Sequence, residues 1–530
     1  MLREMSQSIA SSPQSIVKKI LLCSFSAILL SLPFSFGRLW ILAWFGFAPL
    51  FFSLRNKSKL QAFLLAYLCG FVLWWLTIYW LVHVTLVGTL VLILYLSLYF
   101  ACFGFLFSYI THYTLHITQI LALPSLWALL EYLRSHLLTG FPWAFLGYSQ
   151  YLNLPIIQSA DITGAWGVSF AVMLGNVIIY RISGNGYRVS GRRKGRVGYA
   201  GEYLAVLFLV LVFFYGFFKL SRIPYPASRI PLKISLIQPN IPQELKWDPA
   251  NNDYIIRQYL RLTAAAAKGA PDLVVWPEAA LPVVLEEEPA YLRLVQEAMK
   301  ENQSPLLFGT VTCRGKLYYN SALLLDEGGE VSGRYDKLHL VPFGEYIPLR
   351  EKLPFLQTIV PIGEIAPGND YMVFSYPPST IHHPPSVKFS VLICFEDLFP
   401  ELSRQFVLRG ADFLVNITND AWYKKTSAAE QHLQASVLRS VENRRYLVRA
   451  ANTGVSAFIS PLGKVISRVQ GEGGRDIFAA GFRQEEILLP RQQRLSFYTR
   501  HGDIFILACF LFFICGIIPA RKRPLTAPAS

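Results

Sequence analysis

Apolar stretches long enough to cross a bilayer recur through the first 220 residues of this chain, and one more follows near its end. Lipid offers backbone N–H and C=O groups no hydrogen-bond partner, so such a stretch has one stable form, a helix of about 20 residues. The spans read as 20–36, 39–54, 62–82, 86–110, 117–138, 166–182, 203–220 and 504–520, with the second short and the fourth long. That is about eight helices. Composition agrees, since 53% of the 530 residues are hydrophobic and only 16% charged, too apolar for a soluble enzyme of this size. Glu131 and Arg134 are the notable ionisable side chains in or near the spans. The expected division is a transmembrane bundle at 1–220, a hydrophilic domain at 221–500, and a final helix with a basic tail at 501–530.

The net charge of +15 invites a nucleic-acid reading, but its distribution argues for membrane orientation and no nucleic-acid partner. Lys18 and Lys19 precede the first span; Arg55, Lys57 and Lys59 separate the second from the third. Arg181, Arg188, Arg192, Arg193, Lys194 and Arg196 separate the sixth from the seventh, and Arg521, Lys522 and Arg523 follow the last. If the spans alternate, all four clusters fall on one side, and the positive-inside rule makes that side cytoplasmic. Both termini are then cytoplasmic and 221–500 is external, facing the periplasm if the membrane is a bacterial inner one. A cleavable signal peptide is the rival reading of the first span. The break at Gly37-Arg38 is so short that a retained helical hairpin is expected instead. Cys23 precedes its apolar stretch, which is the wrong order for a lipid-attachment site. Only Cys313 and Cys394 lie in the external segment. Oxidising compartments normally pair cysteines, so these two are either bridged or at least one is kept for chemistry.

The external segment reads as one α/β domain. Runs rich in β-branched residues (LKISLIQPN, PDLVVWPE, SPLLFGTVT, NSALLLD, VKFSVLIC, ADFLVNITND, YLVRAANTG and SAFISPLG) alternate in part with helical patterns at 253–268, 289–302 and 428–443. Continuous apolar strands suit a sheet covered on both faces. No internal repeat is visible, and the one linker-like stretch is 183–201.

Three motifs there carry chemistry. Cys394 closes the strand VKFSVLI and is followed at once by Phe395-Glu396-Asp397, the switch expected of a nucleophile on a strand-to-helix turn. Helix amides and a nearby cation would lower its thiol pKa. A lone cysteine there is more often a small buried hydrophobe. Glu278 ends LVVWPE, where Pro277 is expected to stop the ladder and aim the next side chain out of the sheet. Lys337 sits in Tyr335-Asp336-Lys337 beside apolar Leu338 and Leu340, so a buried ammonium competes with an ordinary loop lysine. Each motif reads as the end of an apolar strand, and α/β sites assemble beyond strand ends, so the three can converge.

WPE, YDK-x-H-L-V-P-F-G-E and C-F-E-D in this order resemble the nitrilase superfamily. The membrane spans, with the domain inserted before the last, narrow the resemblance to the apolipoprotein N-acyltransferase family. It covers essentially the whole chain, including QPNIPQELKWD, GFPWAFLGYSQ and FYTRHGD. It implies a four-layer αββα sandwich joined to a multi-pass helical bundle. It implies transfer of a fatty acyl chain from a phospholipid donor to the α-amino group of a diacylglyceryl-modified N-terminal cysteine of an apolipoprotein. Two departures stand out: Phe395 replaces a usual tyrosine, and His501-Gly502-Asp503 replaces Tyr-Gly-Asp.

On this reading Glu278 is the general base, Cys394 the nucleophile that carries a thioester, and Lys337 an oxyanion stabiliser. Glu345 is expected to partner Lys337 or shape the pocket. Glu396 is expected either as a first-turn acid favoured by the helix dipole or as a pocket group. Trp247, Phe395 and Trp143 are the expected substrate contacts, with packing the rival role for Trp247. No metal and no cofactor are expected, and a monomer is. The apolar loop at 345–363 reads as a flap reaching toward lipid. Two other classes stay open: an amidohydrolase passing the acyl group to water, and a transporter, against which the sparse charges in the spans speak.

Overall fold

A computed structural model describes residues 13–113, 116–183, 200–221, 229–347, 365–377, 386–492 and 494–518. The chain divides into two compact units, one of residues 1–156, 165–215 and 503–530, the other of 157–164 and 216–502. The basic residues from Arg188 to Arg196, the tail from Arg521 and most of the expected flap lie outside the described residues.

The first unit is helical because its apolar sequence leaves the backbone only internal partners. Among the described residues, six helical stretches are long and apolar enough to cross a membrane: Ile16–Ser35, Gly37–Leu54, Lys59–His83, Leu86–Tyr113, Ala160–Ile182 and Ala200–Ser221. The two remaining expected spans are present as helices of lesser apolar length. His116–His136 carries Pro124, Glu131 and Arg134, and Ile504–Ile517 is short. The expected span at 39–54 is broken into a 3-10 stretch, Gly37–Trp44, and a short α-helix, Ala48–Leu54. Asn176 makes the break tolerable: its amide donates to Ala43 O and accepts from Phe47 N, both at 2.8 Å. Ser58 caps Lys59–Ile78 by accepting from Gln61 N, and Gln61 reciprocates. That helix meets Leu86–Tyr113 closely, since a Cβ on Gly104 would fall 2.5 Å from Ala62 O. Arg181, counted above with a basic loop, is instead buried in an ion pair with Glu202 at 2.6 Å.

The second unit holds two mixed sheets. Among the described residues, thirteen strands run in chain order: β1 (Arg229–Gln238), β2 (Leu273–Val275), β3 (Leu281–Val284), β4 (Leu306–Arg314), β5 (Leu317–Leu325), β6 (Val331–Asp336), β7 (Phe374–Tyr376), β8 (Val387–Ile393), β9 (Phe413–Thr418), β10 (Tyr446–Ala451), β11 (Ala457–Ile459), β12 (Val465–Arg468) and β13 (Gly481–Pro490). The first sheet has the order β13-β1-β2-β4-β5-β6, with β3 also on β4; the second has β12-β11-β10-β9-β8-β7. Each has a parallel centre, β1-β2-β4 and β8-β9-β10, and antiparallel margins. The parallel strands are the apolar runs read from sequence. β3, β6, β7, β12 and β13 are additional, and β6, β12 and β13 are half-exposed, so burial never demanded an apolar run there.

β1 contacts β10 and β5 contacts β8, so the sheets face one another, with helices outside. Asn252–Ala267 turns Ile255, Ile256, Tyr259, Leu262 and Ala266 toward Trp276, Leu306 and Phe308, the 3.6-residue stripe of a helix lying on a sheet. Pro289–Asn302 adds Val295 and Met299. On the other face lie Pro400–Leu408 and Ala428–Asn443, the latter buried throughout from Gln431 onward. The result is the αββα sandwich.

Candidate active site

Cys394 follows β8 directly and opens the short 3-10 helix Cys394–Leu398, with φ at +52°. A side-chain-bearing residue in that left-handed region costs on the order of 1 kcal/mol or more, so its surroundings must hold it there. Asn416 Nδ2 donates to the Cys394 carbonyl at 3.2 Å, and His432 Nε2 lies 3.2 Å from the same oxygen. The thiol is not the acidified one expected from the sequence. Burial raises its pKa well above the ordinary value, Glu278 pushes the same way, and Lys337 pulls it back. The turn is too short and too enclosed to act as a dipole-activating helix end. A thiol of this kind needs a base.

Glu278 lies just past β2, and the β2–β4 pairing does not stop at Pro277 as expected. Trp276 N donates to Leu307 O, the Pro277 carbonyl accepts from Gly309 N, and Ala280 N donates to Gly309 O. Glu278 Oε1 accepts from Asn320 Nδ2 at 2.8 Å, and Oε2 from Asn419 N at 3.0 Å. Lys337 Nζ stands 3.7 Å from Glu278 Oε1 and 2.9 Å from Glu345 Oε2. The Asn320 amide also donates to Glu345 Oε1 at 2.8 Å, so one side-chain NH₂ ties both carboxylates together.

Lys337 follows β6, which is a half-exposed margin and not the apolar strand anticipated. Its side chain is nevertheless 1% exposed. Burial works against its charge, but Glu345 and then Glu278 outweigh burial and hold the ammonium protonated. Glu345 is therefore the direct partner of Lys337, as one of the two expected roles had it.

Glu396 braces the loop carrying Lys337 to the elbow carrying Cys394. Its carboxyl accepts from Leu338 N and Ile393 N, each at 2.7 Å, from His339 N at 3.0 Å and from Tyr335 Oη at 2.8 Å. Burial pushes it up to about 7 against those N–H bonds. It is a first-turn acid whose oxygens are taken up by the protein's own donors.

Behind Cys394 lies a buried cluster that no single sequence motif announces. His432 Nε2 meets Asp397 Oδ1 at 2.8 Å and His432 Nδ1 meets Asp420 Oδ1 at 2.9 Å. Arg449 bridges the other oxygens of both aspartates at 3.2 and 3.0 Å and donates to Asn416 Oδ1 at 2.6 Å. Burial and Arg449 oppose a charge on His432, yet the two carboxylates raise it to about 9, an imidazolium. Two cations thus offset two anions.

The remaining expected residues are dispersed in role. Trp247 is half-exposed, while its neighbour Lys246 is buried and donates to the Glu278 carbonyl at 3.0 Å. Phe395 is buried, its ring 5.2 Å from Phe399. Trp143 belongs to the helical unit, buried against Trp80 with ring centroids 4.8 Å apart. Asn320, Asn419, Lys246 and Tyr423 were not read from the sequence as site residues. Tyr423 is kept protonated by burial and by Cys394, Asp420, Glu278 and Glu345. All seven cysteines are free, so Cys313 and Cys394 are not bridged. The sulfur, carboxylate and ammonium, all largely buried, have the parts for acyl transfer through a covalent intermediate.

Residues 26–178 match the family described as apolipoprotein N-acyltransferase N-terminal domain, and residues 233–487 match carbon-nitrogen hydrolase. The chain is 38% identical over 508 residues to an apolipoprotein N-acyltransferase of Geobacter metallireducens, covering 92% of each chain. It is 33% identical over 418 residues to one from Caulobacter vibrioides, covering 76% of this chain and 74% of the relative. Among solved structures, an amidase of the nitrilase superfamily from Nesterenkonia AN1 aligns at TM-score 0.38 and 19% identity, over 53% of this chain and 97% of that one.

Proposed function

The chain belongs to the apolipoprotein N-acyltransferase family, and on that footing we propose that it draws a fatty acyl chain from a membrane phospholipid and passes it through a thioester on Cys394. The protein is a membrane-integrated acyltransferase acting in lipoprotein N-acylation. The proposal concerns its donor, its intermediate and its residues.

In the first half-reaction Glu278 takes the Cys394 proton as the sulfur attacks the ester carbonyl of the donor. The carbonyl oxygen becomes an oxyanion beside the Lys337 ammonium, where one such donor is typically worth about 100- to 1000-fold in rate. When the tetrahedral species collapses, the C–O bond to glycerol breaks, and protonated Glu278 gives its proton to the departing oxygen. Lysophospholipid leaves and the acyl group stays on sulfur. In the second, the neutral α-amine of the diacylglyceryl cysteine attacks the thioester and yields its proton to Glu278. The C–S bond then breaks and that proton returns to sulfur. Two sequential transfers on one sulfur make ping-pong kinetics the expected pattern.

The observation that carries this reading is the arrangement at Cys394: Lys337 Nζ stands 3.7 Å from Glu278 Oε1 and 2.9 Å from Glu345 Oε2, and the thiol is raised by burial, further by Glu278, with Lys337 opposing. A nucleophile that is protonated at rest, with a carboxylate and an ammonium beside it, is arranged for base-assisted attack. Glu345 would hold Lys337 in place, and Trp247, Phe395 and Trp143 are proposed as substrate contacts. We place the catalytic unit on the periplasmic side of the bacterial inner membrane, as a monomer.

Mass spectrometry of the purified protein tests the intermediate. A thioester-linked fatty acid is expected on the peptide containing Cys394, absent in Cys394→Ala and retained in Cys313→Ala. Acyl adducts on Cys313 would overturn the assignment. Free fatty acid as the product in the presence of acceptor peptide would make the protein a hydrolase.

A further inference from the structure

Lys246 ends the short helix Gln243–Lys246 and is 1% exposed. Its Nζ donates to the backbone carbonyl of Glu278 at 3.0 Å, and among the described residues it has no ion pair. A buried ammonium held only by a carbonyl is costly unless charges nearby repay it. The titratable groups that face it are Glu278, beyond β2, and Cys394, beyond β8, both favouring its proton. Burial outweighs them and pulls it down to about 8. Glu244, on its own helix, is exposed to solvent.

The charges around the sulfur show what Lys246 contributes. Glu278 and Glu345 bring two negative charges, and Lys337, in contact with both, brings one positive. One negative charge is left over at the place where a thiolate must form. A second cation in the site removes that excess. Asp420 also acts on Cys394, but Arg449 and His432 already neutralise it.

We propose that Lys246 is a positioning residue for the nucleophile: anchored on the Glu278 carbonyl, its ammonium neutralises the Glu278–Lys337–Glu345 cluster and so favours the thiolate form of Cys394. This rests on the reading of Cys394 as the nucleophile. The hydrogen bond alone would only fix backbone, whereas the charge acts on the sulfur's proton. The two contributions can be separated.

The test is the pH dependence of iodoacetamide alkylation in the full-length protein, with Cys394 and Cys313 read on their separate peptides by mass spectrometry. Lys246→Met should slow Cys394 labelling at neutral pH by about tenfold, the effect of one pKa unit, and displace its pH curve upward. Cys313, which is distant in sequence and on another strand, should label as in the wild type and so reports correct folding. Lys246→Gln keeps a donor for the Glu278 carbonyl without the charge, and should behave as Lys246→Met. If either folded variant labels Cys394 at the wild-type rate and pH, the proposal is overturned. If Cys394 does not label in the wild type while Cys313 does, the nucleophile reading falls, and this inference with it.

Discussion

Gly309 has no side chain, yet the candidate base depends on it. A Cβ there would stand 2.6 Å from Ala279 N and 2.7 Å from Glu278 Cα. Both are backbone atoms with no soft torsion to absorb the clash, and Ala279 already has φ at +45°. Gly309→Ala is therefore expected to shift the Glu278 segment. Overpacking of this kind costs about 1–3 kcal/mol of stability. Activity should fall further than stability, by about 100-fold, because misplacing a reacting group by an ångström has that effect. Comparing turnover with the thermal unfolding midpoint of the same variant checks it; equal and small losses would mean the segment moves freely. Such dependence was invisible in the sequence. Glu278, Lys337 and Cys394 stood out because each lies in a recognisable motif. Gly309 and Asn320 lie within strands β4 and β5, and only the pairing of β2 with β4 and of β4 with β5 brings them to Glu278.

At the scale of elements, the turn after β8 owes its shape to the helix Ala428–Asn443 and to strands β9 and β10. His432 comes from the helix, Asn416 from β9, Arg449 from β10, and all converge behind the Cys394 carbonyl. A pH signature follows. The folded-state value of His432 is raised to about 9 from about 6.5. Its contribution to stability is then complete below 6.5 and is lost as pH rises through 9, on the order of 3 kcal/mol in all. Unfolding midpoints of the wild type and of His432→Asn, measured from pH 6 to 9.5, should differ most at the acid end and converge at the alkaline end. Taking the difference removes other groups that titrate there, Lys246 among them. A difference that is constant with pH would mean a neutral imidazole. The elements themselves were unevenly legible. Helices 289–302 and 428–443 were read at the observed bounds, and the central parallel strands were read because burial on both faces demands apolar runs. β13 was missed because GFRQEEILLP pairs along all of β1 although Arg483, Gln484, Glu485 and Glu486 interrupt its apolar residues. Backbone pairing places such a strand, and composition carries little trace of it.

For the whole molecule, the parity of the membrane crossings decides which side each loop faces. The stretch of lowest apolar content among the expected spans is His116–His136, with Glu131 and Arg134 in its second half. In lipid those charges would be prohibitive if unmet; the unit gives partners to Arg134 and to one Glu131 oxygen, while Glu131 Oε2 is buried without a hydrogen bond among the described residues. Glu131 Oε1 accepts from Trp127 Nε1 at 3.0 Å and from Leu146 N at 2.7 Å. Arg134 Nη1 donates to Phe141 O at 2.9 Å and Trp143 O at 2.6 Å, with its guanidinium 4.8 Å from the centre of the Trp74 ring. A helix whose polar groups are largely met from within can cross at lower hydropathy. If it crosses, residues 183–199 return to the side of Lys57 and Lys59; if it does not, they fall on the opposite side. The positive-inside rule favours the first, even with Arg181 withdrawn into its pair with Glu202. A reporter active only in the cytoplasm, fused after Arg196, should therefore be active. Activity only from a periplasmic reporter at that position would mean that the helix does not cross. The orientation of the last helix, and with it of the catalytic unit, would then have to be reassigned.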